Sequence, residues 1–484
     1  MRIPLVLLAL MTLGLPATLD GADKPNIVII LADDLGWADV SFHGEQIKTP
    51  HIDSLVADGS ELNRFYVCPV CSPTRAGLMT GRYPIRFGLM RAVVPPWRKG
   101  GLDPAETTLP EALAKAGYEN RGAFGKWHLG HSHLKYHPLR RGFTEFVGHY
   151  NGAIDYFMHE REGELDWHRD YDTNRDKGYS TDLIGDAAAE FIKRHAADDS
   201  PFLCYVPFNA PHSPFQAKPE DLKKYEHLPA KTTPEQIRKK KKKKKTPARR
   251  ARVQRQTLAA MISSMDEGVG KILAAIDDAD IRKNTLVWFF SDNGGTGPGD
   301  NRPLNGQKAT CYEGGIRVTA AVRWPGTIPA GGKVTAPLAY IDVLPTLLTI
   351  AGLNAHGGKP LDGVDATELL TGKRDTHARD VYSYIGQQGE DTEQITLIEP
   401  RWKLLVIGRK VSDAADDAKR TIQLFDIIDD PNEQTNLADA NPEVVARMLG
   451  KLTKFRDLQP ATAVPPYRQR DADFKPPPNW KIGD

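Results

Sequence analysis

The stretch Asn26-Ile27-Val28-Ile29-Ile30-Leu31 sets the first constraint, because its apolar side chains follow one another without alternation and then give way to Asp33-Asp34. A strand with no polar face must be covered on both sides, as an inner strand of a helix-flanked parallel sheet is. Thr285 to Phe290 has the same character and runs into Ser291-Asp292-Asn293-Gly294-Gly295. Phe202 to Phe208 reads as a third strand of this kind. Thr257 to Asp278 places Met261, Met265, Val269, Ile272 and Ile276 along one helical side, and Leu109 to Ala116 is a short helix closed by Gly117. Strands alternating with helices from about Asn26 to Ala351 predict an α/β fold built on a large, mainly parallel sheet.

The pattern changes after about Gly372. Val381 to Ile385, Ile395 to Ile398, Trp402 to Ile407 and Thr421 to Phe425 are short strand candidates. A last helix starts at Asn441, as its cap, and Pro442. This predicts a small antiparallel sheet with one helix, and a proline-rich tail from Pro465 that wraps the surface. The expected division is an export signal at 1–22, a main domain at 23–372 and a C-terminal subdomain with tail at 373–484. The signal rests on Arg2, the apolar run Pro4 to Leu15 and the small residues after it, a stretch too short to span a bilayer. Export to the periplasm or outside, with no membrane span, is the expectation.

Charge and cysteine usage narrow the classes further. The formal net charge is +2, yet Arg238 and Lys239 to Lys245 form one unbroken basic run, so the remainder is mildly acidic. Such a run reads first as a solvated loop and second as a docking strip for a polyanionic substrate. Nucleic acid is not the expected partner, because no aromatic residues are interleaved with the lysines. Four cysteines, Cys68, Cys71, Cys204 and Cys311, are too few for a disulfide scaffold in an exported chain of 484 residues.

The two acidic strand ends carry the first chemistry. Ligands of open α/β sheets bind beyond the carboxyl ends of strands. Asp33, Asp34, Asp292 and Asn293 brought together there would offer oxygen donors suited to a hard divalent cation, Ca²⁺ or Mg²⁺. Each pair alone could equally cap a helix or turn the chain. The second signal is Cys71-Ser72-Pro73-Thr74-Arg75. Pro73 suits a first helical turn, so the residues after it predict a short helix whose N-terminus faces Cys71 and favours an anion there. Arg75 adds a planar, permanently charged donor. A nucleophile beside an anion site is what sulfuryl or phosphoryl transfer requires. A structural cysteine is the alternative, and Cys68-x-x-Cys71 as a redox pair is a third reading.

Cys71-x-Pro73-Thr74-Arg75 followed by Thr80-Gly81-Arg82 resembles the signature of the formylglycine-dependent type I sulfatases. Leu31 to Trp37, Thr49-Pro50-His51-Ile52-Asp53, Gly125-Lys126-Trp127-His128-Leu129-Gly130, Ala210-Pro211-His212, Ser291 to Gly295 and Glu313-Gly314-Gly315-Ile316-Arg317 resemble further blocks of that family, in the family's order. Leu424-Phe425-Asp426 and Asp430-Pro431-Asn432-Glu433 resemble its C-terminal part. The resemblance implies an alkaline-phosphatase-like fold and one Ca²⁺ or Mg²⁺ held by Asp33, Asp34, Asp292 and Asn293, with the modified Cys71 completing the set. It implies that a formylglycine-generating enzyme converts Cys71 to 3-oxoalanine, whose hydrate attacks sulfur. Arg75 would orient that group, Lys126 would bridge it to a sulfate oxygen, and His128 would take the proton that lets sulfate leave. His212 and Lys308 would contact the sulfate and help protonate the leaving oxygen.

The blocks Phe42-His43-Gly44, Tyr83 to Leu89, Arg140 to Phe143 and Asp155 to Arg161 resemble arylsulfatase B, an N-acetylgalactosamine-4-sulfatase. They imply a 4-O-sulfated galactose or N-acetylgalactosamine of a glycosaminoglycan or algal polysaccharide as substrate. A phosphonate or phosphate ester hydrolase of the same superfamily and a non-catalytic protein that binds sulfated polysaccharide are the competing readings.

Overall fold

The computed structural model describes residues 24–229, 246–353, 357–412, 420–467, 471 and 473–483. The expected signal at 1–22 and the basic run at 238–245 lie outside the described residues. Among the described residues no helix is long and apolar enough to cross a membrane.

A ten-stranded sheet organises the chain. Its strands in chain order are β1 (Asn26–Ala32), β2 (Ser60–Leu62), β3 (Asn120–Lys126), β4 (Glu145–His149), β5 (His168–Arg169), β6 (Asp172–Thr173), β7 (Phe202–Pro207), β8 (Thr285–Ser291), β9 (Ala320–Arg323) and β10 (Gly332–Val334). They lie in the order β10-β2-β9-β8-β1-β7-β3-β4-β5-β6. The inner run β8-β1-β7-β3-β4 is wholly parallel. Antiparallel pairing enters at β8 with β9 and at β4 with β5. The unbroken apolar character of β1 is explained by this position, since every residue of the strand is buried. Its odd side chains Ile27, Ile29 and Leu31 join one apolar core, and Val28, Ile30 and Ala32 join a second on the opposite face.

Helices cover both faces. On one lie α1 (Pro50–Ala57), α4 (Ser180–His195) and α5 (Thr246–Asp278), with Met261, Met265, Val269 and Ile272 of α5 in the second core. On the other lie α2 (Cys71–Thr80) and α3 (Leu109–Ala114). The helix expected after Pro73 begins two residues earlier, at Cys71, because Val70 is still extended and Pro73, lacking an N–H, fits the first turn. The α5 helix likewise starts before Thr257.

The C-terminal strands form a four-stranded antiparallel meander of β11 (Val381–Ile385), β12 (Glu393–Ile398), β13 (Trp402–Gly408) and β14 (Arg420–Asp426). The last helix, α6 (Pro442–Arg456), follows. Asn441 precedes it but makes no side-chain cap; its amide donates instead to the Leu437 carbonyl at 3.0 Å. The tail does more than wrap the surface: Trp480 is fully buried and donates its indole N–H to the Arg161 carbonyl at 2.8 Å.

A buried cation ties the meander to the short helix Glu313–Ile316. Lys403 of β13 lies 2.9 Å from a Glu313 oxygen and 2.7 Å from one of Glu433, and all three side chains are sealed from solvent. Two sequence blocks of no obvious chemistry, Glu313 to Arg317 and Asp430 to Glu433, are thus held by one lysine.

Candidate active site

The parallel strands β1 and β8 are neighbours, so their carboxyl ends deliver Asp33-Asp34 and Asp292-Asn293 to one place. Backbone bonds fix the ends there: Asp292 N–H donates to the Ala32 carbonyl and Asp33 N–H to the Ala210 carbonyl, each at 3.0 Å. Asp34 sits at φ +69°, in the left-handed region that an aspartate tolerates better than most side chains. All four side chains are buried.

Helix α2 brings Cys71 and Arg75 to the same place. One face of the Arg75 guanidinium grips Asp292 Oδ2 through Nε at 2.9 Å and Nη2 at 2.8 Å, while Nη1 donates to the Lys126 carbonyl at 2.6 Å. Strand β3 ends in Lys126, whose ammonium reaches Asp33 Oδ2 at 2.5 Å. Lys308 reaches Asp34 Oδ1 at 2.5 Å, and His212 Nε2 stands 3.8 Å from Asp34 Oδ2. The side chains named from the sequence — Asp33, Asp34, Cys71, Arg75, Lys126, His128, His212, Asp292, Asn293 and Lys308 — therefore form one cluster.

His128 is held with particular definition. Its Nε2 lies 3.0 Å from the Val94 carbonyl, which can only accept, so Nε2 carries the proton. The lone pair is then on Nδ1, 3.2 Å from Cys71 Sγ. Ser72 donates its hydroxyl to the His128 carbonyl at 2.9 Å and accepts from Val94 N–H at 3.1 Å, tying both partners of the histidine to α2. Burial, with Lys126 and Arg75 nearby, depresses the imidazole far below its usual range, so it is neutral. Gly152 packs over the ring so closely that a Cβ there would lie 2.4 Å from Cε1.

The electrostatics of the carboxylates call for a cation. Burial, and then the Asp33 carboxylate, push Asp292 up to about 6 despite Arg75. Asp33 is raised as well, chiefly by burial. Burial also opposes ionisation of Asp34, but Lys308, His212 and the Asn293 amide outweigh it and hold Asp34 below the usual carboxylate range. Asp33 Oδ1, Asp292 Oδ1 and Asn293 Oδ1 are buried and have no hydrogen-bond partner. Asn293 spends its amide N–H groups on Asp34 at 2.7 Å and the Gly294 carbonyl at 3.0 Å, which leaves its oxygen free to donate an electron pair. Donor atoms of Asp33, Cys71 and Asp292 lie within 4.8 Å of one another. Three orphaned oxygens amid crowded carboxylates fit a hard divalent cation.

Cys71, His128, His212 and Lys308 open into a cavity of about 490 Å³. Arg161, Gln387 and Tyr467 also line it, and no local pattern in the sequence singled out the last two. They arrive from the region after residue 372, so only the tertiary fold brings them in. Cys68 is a bystander: its thiol lies 3.1 Å from the Tyr340 hydroxyl, burial pushes it up to about 12, and all four cysteines are free.

Comparison with known proteins gives a consistent picture. The family described as Sulfatase matches residues 25–353, and the C-terminal domain described for N-sulphoglucosamine sulphohydrolase matches residues 306–457. N-acetylgalactosamine-6-sulfatase of Mus musculus is 34% identical over 79% of this chain and 72% of its own length. Arylsulfatase J of Mus musculus is 29% identical over 93% of this chain and 79% of its own. The crystal structure of Ps i-CgsB in complex with k-i-k-neocarrahexaose superposes with a TM-score of 0.77 at 29% identity, covering 90% of this chain and 94% of that one.

Proposed function

Since this chain belongs to the sulfatase family and is a sulfuric ester hydrolase, we propose that it removes sulfate from a sulfated galactose or N-acetylgalactosamine unit, using position 71 as nucleophile. The observation that carries the assignment of roles is the lone pair of His128 Nδ1, aimed at Cys71 beside the orphaned oxygens of Asp33, Asp292 and Asn293. Cys71 is the unmodified thiol here, and its Sγ takes the place of the oxygen that formylglycine carries on the same carbon. A Ca²⁺ or Mg²⁺ held by Asp33, Asp34, Asp292 and Asn293 would supply Lewis acidity, and formylglycine at 71, made by a formylglycine-generating enzyme, would supply the attacking hydroxyl.

The chain's own residues prepare this chemistry. Arg75 spends its donors on Asp292 and the Lys126 carbonyl, so it fixes the carboxylate that flanks position 71 and does not roam the cavity. His128 is a base at Nδ1 because its other nitrogen is committed to Val94; it takes the proton of a hydroxyl at position 71. Lys126 and Lys308 bring two positive charges to the bound ester. Such groups in a dry site each contribute roughly 2.7–4 kcal/mol to a transition state, by analogy with oxyanion donors.

His212 serves the leaving oxygen. Its Nδ1 donates to the Ser213 carbonyl at 2.5 Å, which leaves Nε2 toward Asp34. Burial, with Lys308 next, depresses it to about 3. An anionic sulfate ester beside it would favour the protonated form that an acid needs.

For the substrate, the loop resemblance favours a 4-O-sulfate, while the relatives named for N-acetylgalactosamine-6-sulfate cleavage keep the sugar and move the position. Export and the division at residue 372 belong to the same proposal. Sulfate release from defined 4-O- and 6-O-sulfated galactose and N-acetylgalactosamine saccharides tests it. Turnover confined to glucosamine sulfates would refute the sugar assignment.

A further inference from the structure

A second cavity, of about 560 Å³, lies beside the one that contains Cys71. Its walls are Pro96 to Lys99, the segment from His131 to Lys135 and the C-terminal tail. The two cavities share Pro96. Trp97 of the second lies against Tyr467 of the first, with ring centroids 5.1 Å apart. Trp480 of the second is hydrogen-bonded to the backbone of Arg161 in the first. The two cavities are therefore neighbours.

The tail wall is built into the fold. Trp480 packs edge-on against His131, with centroids 5.2 Å apart. Asn479 N–H donates to Glu164 at 2.8 Å, and the Gly483 carbonyl accepts from Leu134 N–H at 3.2 Å.

The chemistry of this cavity is specific. Among the described residues, Arg98, Lys99, Lys135, Lys475 and Lys481 line it against Asp471 and Asp473, so positive charge prevails there. His131 is 3% exposed. Its Nε2 donates to the Pro96 carbonyl at 2.9 Å, so Nδ1 is an acceptor, and that atom has no partner in the protein. Arg98 Nε and Ser132 Oγ are buried without partners in the same wall. Trp97 and Phe474 supply apolar faces, and the buried Trp480 backs the wall. Cations for a sulfate and aromatic faces for C–H groups suit one sulfated sugar unit.

We propose that this cavity binds a sulfated sugar neighbouring the one whose sulfate is cleaved, so that the protein engages an oligosaccharide across both cavities. The proposal rests on the sulfatase reading for its geometry, but its test does not need turnover. The full chain carrying Cys71→Ala is titrated by calorimetry with chondroitin 4-sulfate hexasaccharide and k-i-k-neocarrahexaose, and with the disaccharide of each. At least one hexasaccharide is expected to bind about tenfold or more tighter than its disaccharide, and Arg98→Ala with Lys481→Ala is expected to abolish that advantage. A matching melting temperature shows that the variant folds; if it falls, Arg98→Gln and Lys481→Gln are tested singly. Equal affinity for long and short saccharides, no binding of either hexasaccharide, or an advantage that survives the substitutions would overturn the proposal. Failure of the matured Cys71 protein to release sulfate would instead count against the assigned reaction.

Discussion

Gly152→Ala isolates the contribution of His128 without touching a charged group. The backbone at 152 does not occupy the left-handed region, so alanine is compatible with it. The added methyl would meet His128 Cε1 at 2.4 Å and Nε2 at 2.5 Å. An ordinary contact needs about 3.4 Å, so the ring must retreat by roughly 1 Å, a displacement that costs an aligned reaction on the order of a hundredfold. The ring is pinned between the Val94 carbonyl and Cys71, so that retreat breaks one of the two contacts that make Nδ1 a base. We expect kcat for sulfate release to fall about a hundredfold, or about 2.7 kcal/mol, with KM changed far less. The control is a double-mutant cycle: in a His128→Ala background, Gly152→Ala should cost little more, because the ring it displaces is gone. A kcat within a few-fold of the parent, or an undiminished loss in that background, would refute the reasoning.

Other consequences follow from buried charge. Arg75→Ala leaves Asp292 and Asp33 without their guanidinium, and urea unfolding should show a loss of about 3–5 kcal/mol in metal-free protein. Lys403→Met, which strands Glu313 and Glu433, should cost a similar amount although it lies outside the candidate active site. Saturating Ca²⁺ or Mg²⁺ should raise the melting temperature after chelation, by about 2.7 kcal/mol of stability at a hundredfold excess over Kd, and Asp33→Asn should blunt the effect. For pH, burial depresses His137 to about 4 and His149 to about 3 in the folded chain. The unfolded chain therefore takes up protons first as pH falls below about 6.5, so these residues contribute stability above that pH and lose it on the way to 4. Melting temperatures measured from pH 7.5 to 4.5 should fall less steeply in His137→Gln than in the parent.

The sequence was most informative where chemistry and burial coincide. The apolar runs β1 and β8 declared themselves because both faces are covered, and their polar ends meet at the candidate site. Strand β3 did not declare itself, since Asn120-Arg121-Gly122-Ala123-Phe124-Gly125-Lys126 has two glycines and polar ends. Those glycines are required by close approach: a Cβ on Gly125 would lie 2.2 Å from the Pro207 carbonyl of the adjoining strand. Lys126 was readable from its motif, but the strand that aims it was not. Lys308 sits in a loop with little local pattern, yet it makes one of the shortest contacts to Asp34. Val94 and Gly152, which set the tautomer and position of His128, carry no functional group that a sequence reading would select. Gln387 and Tyr467 reach the site, and Trp480 the cavity beside it, through chain folding alone.

The central claim, that position 71 is the nucleophile for sulfate esters, is tested most directly by one comparison. The chain is co-expressed with a formylglycine-generating enzyme, conversion of Cys71 is verified by peptide mass, and initial rates are measured on paired aryl sulfate and aryl phosphate esters. Sulfate release should predominate and should vanish in Cys71→Ala. Persistence of hydrolysis in Cys71→Ala, or a strong preference for the phosphate ester by the converted protein, would contradict the account.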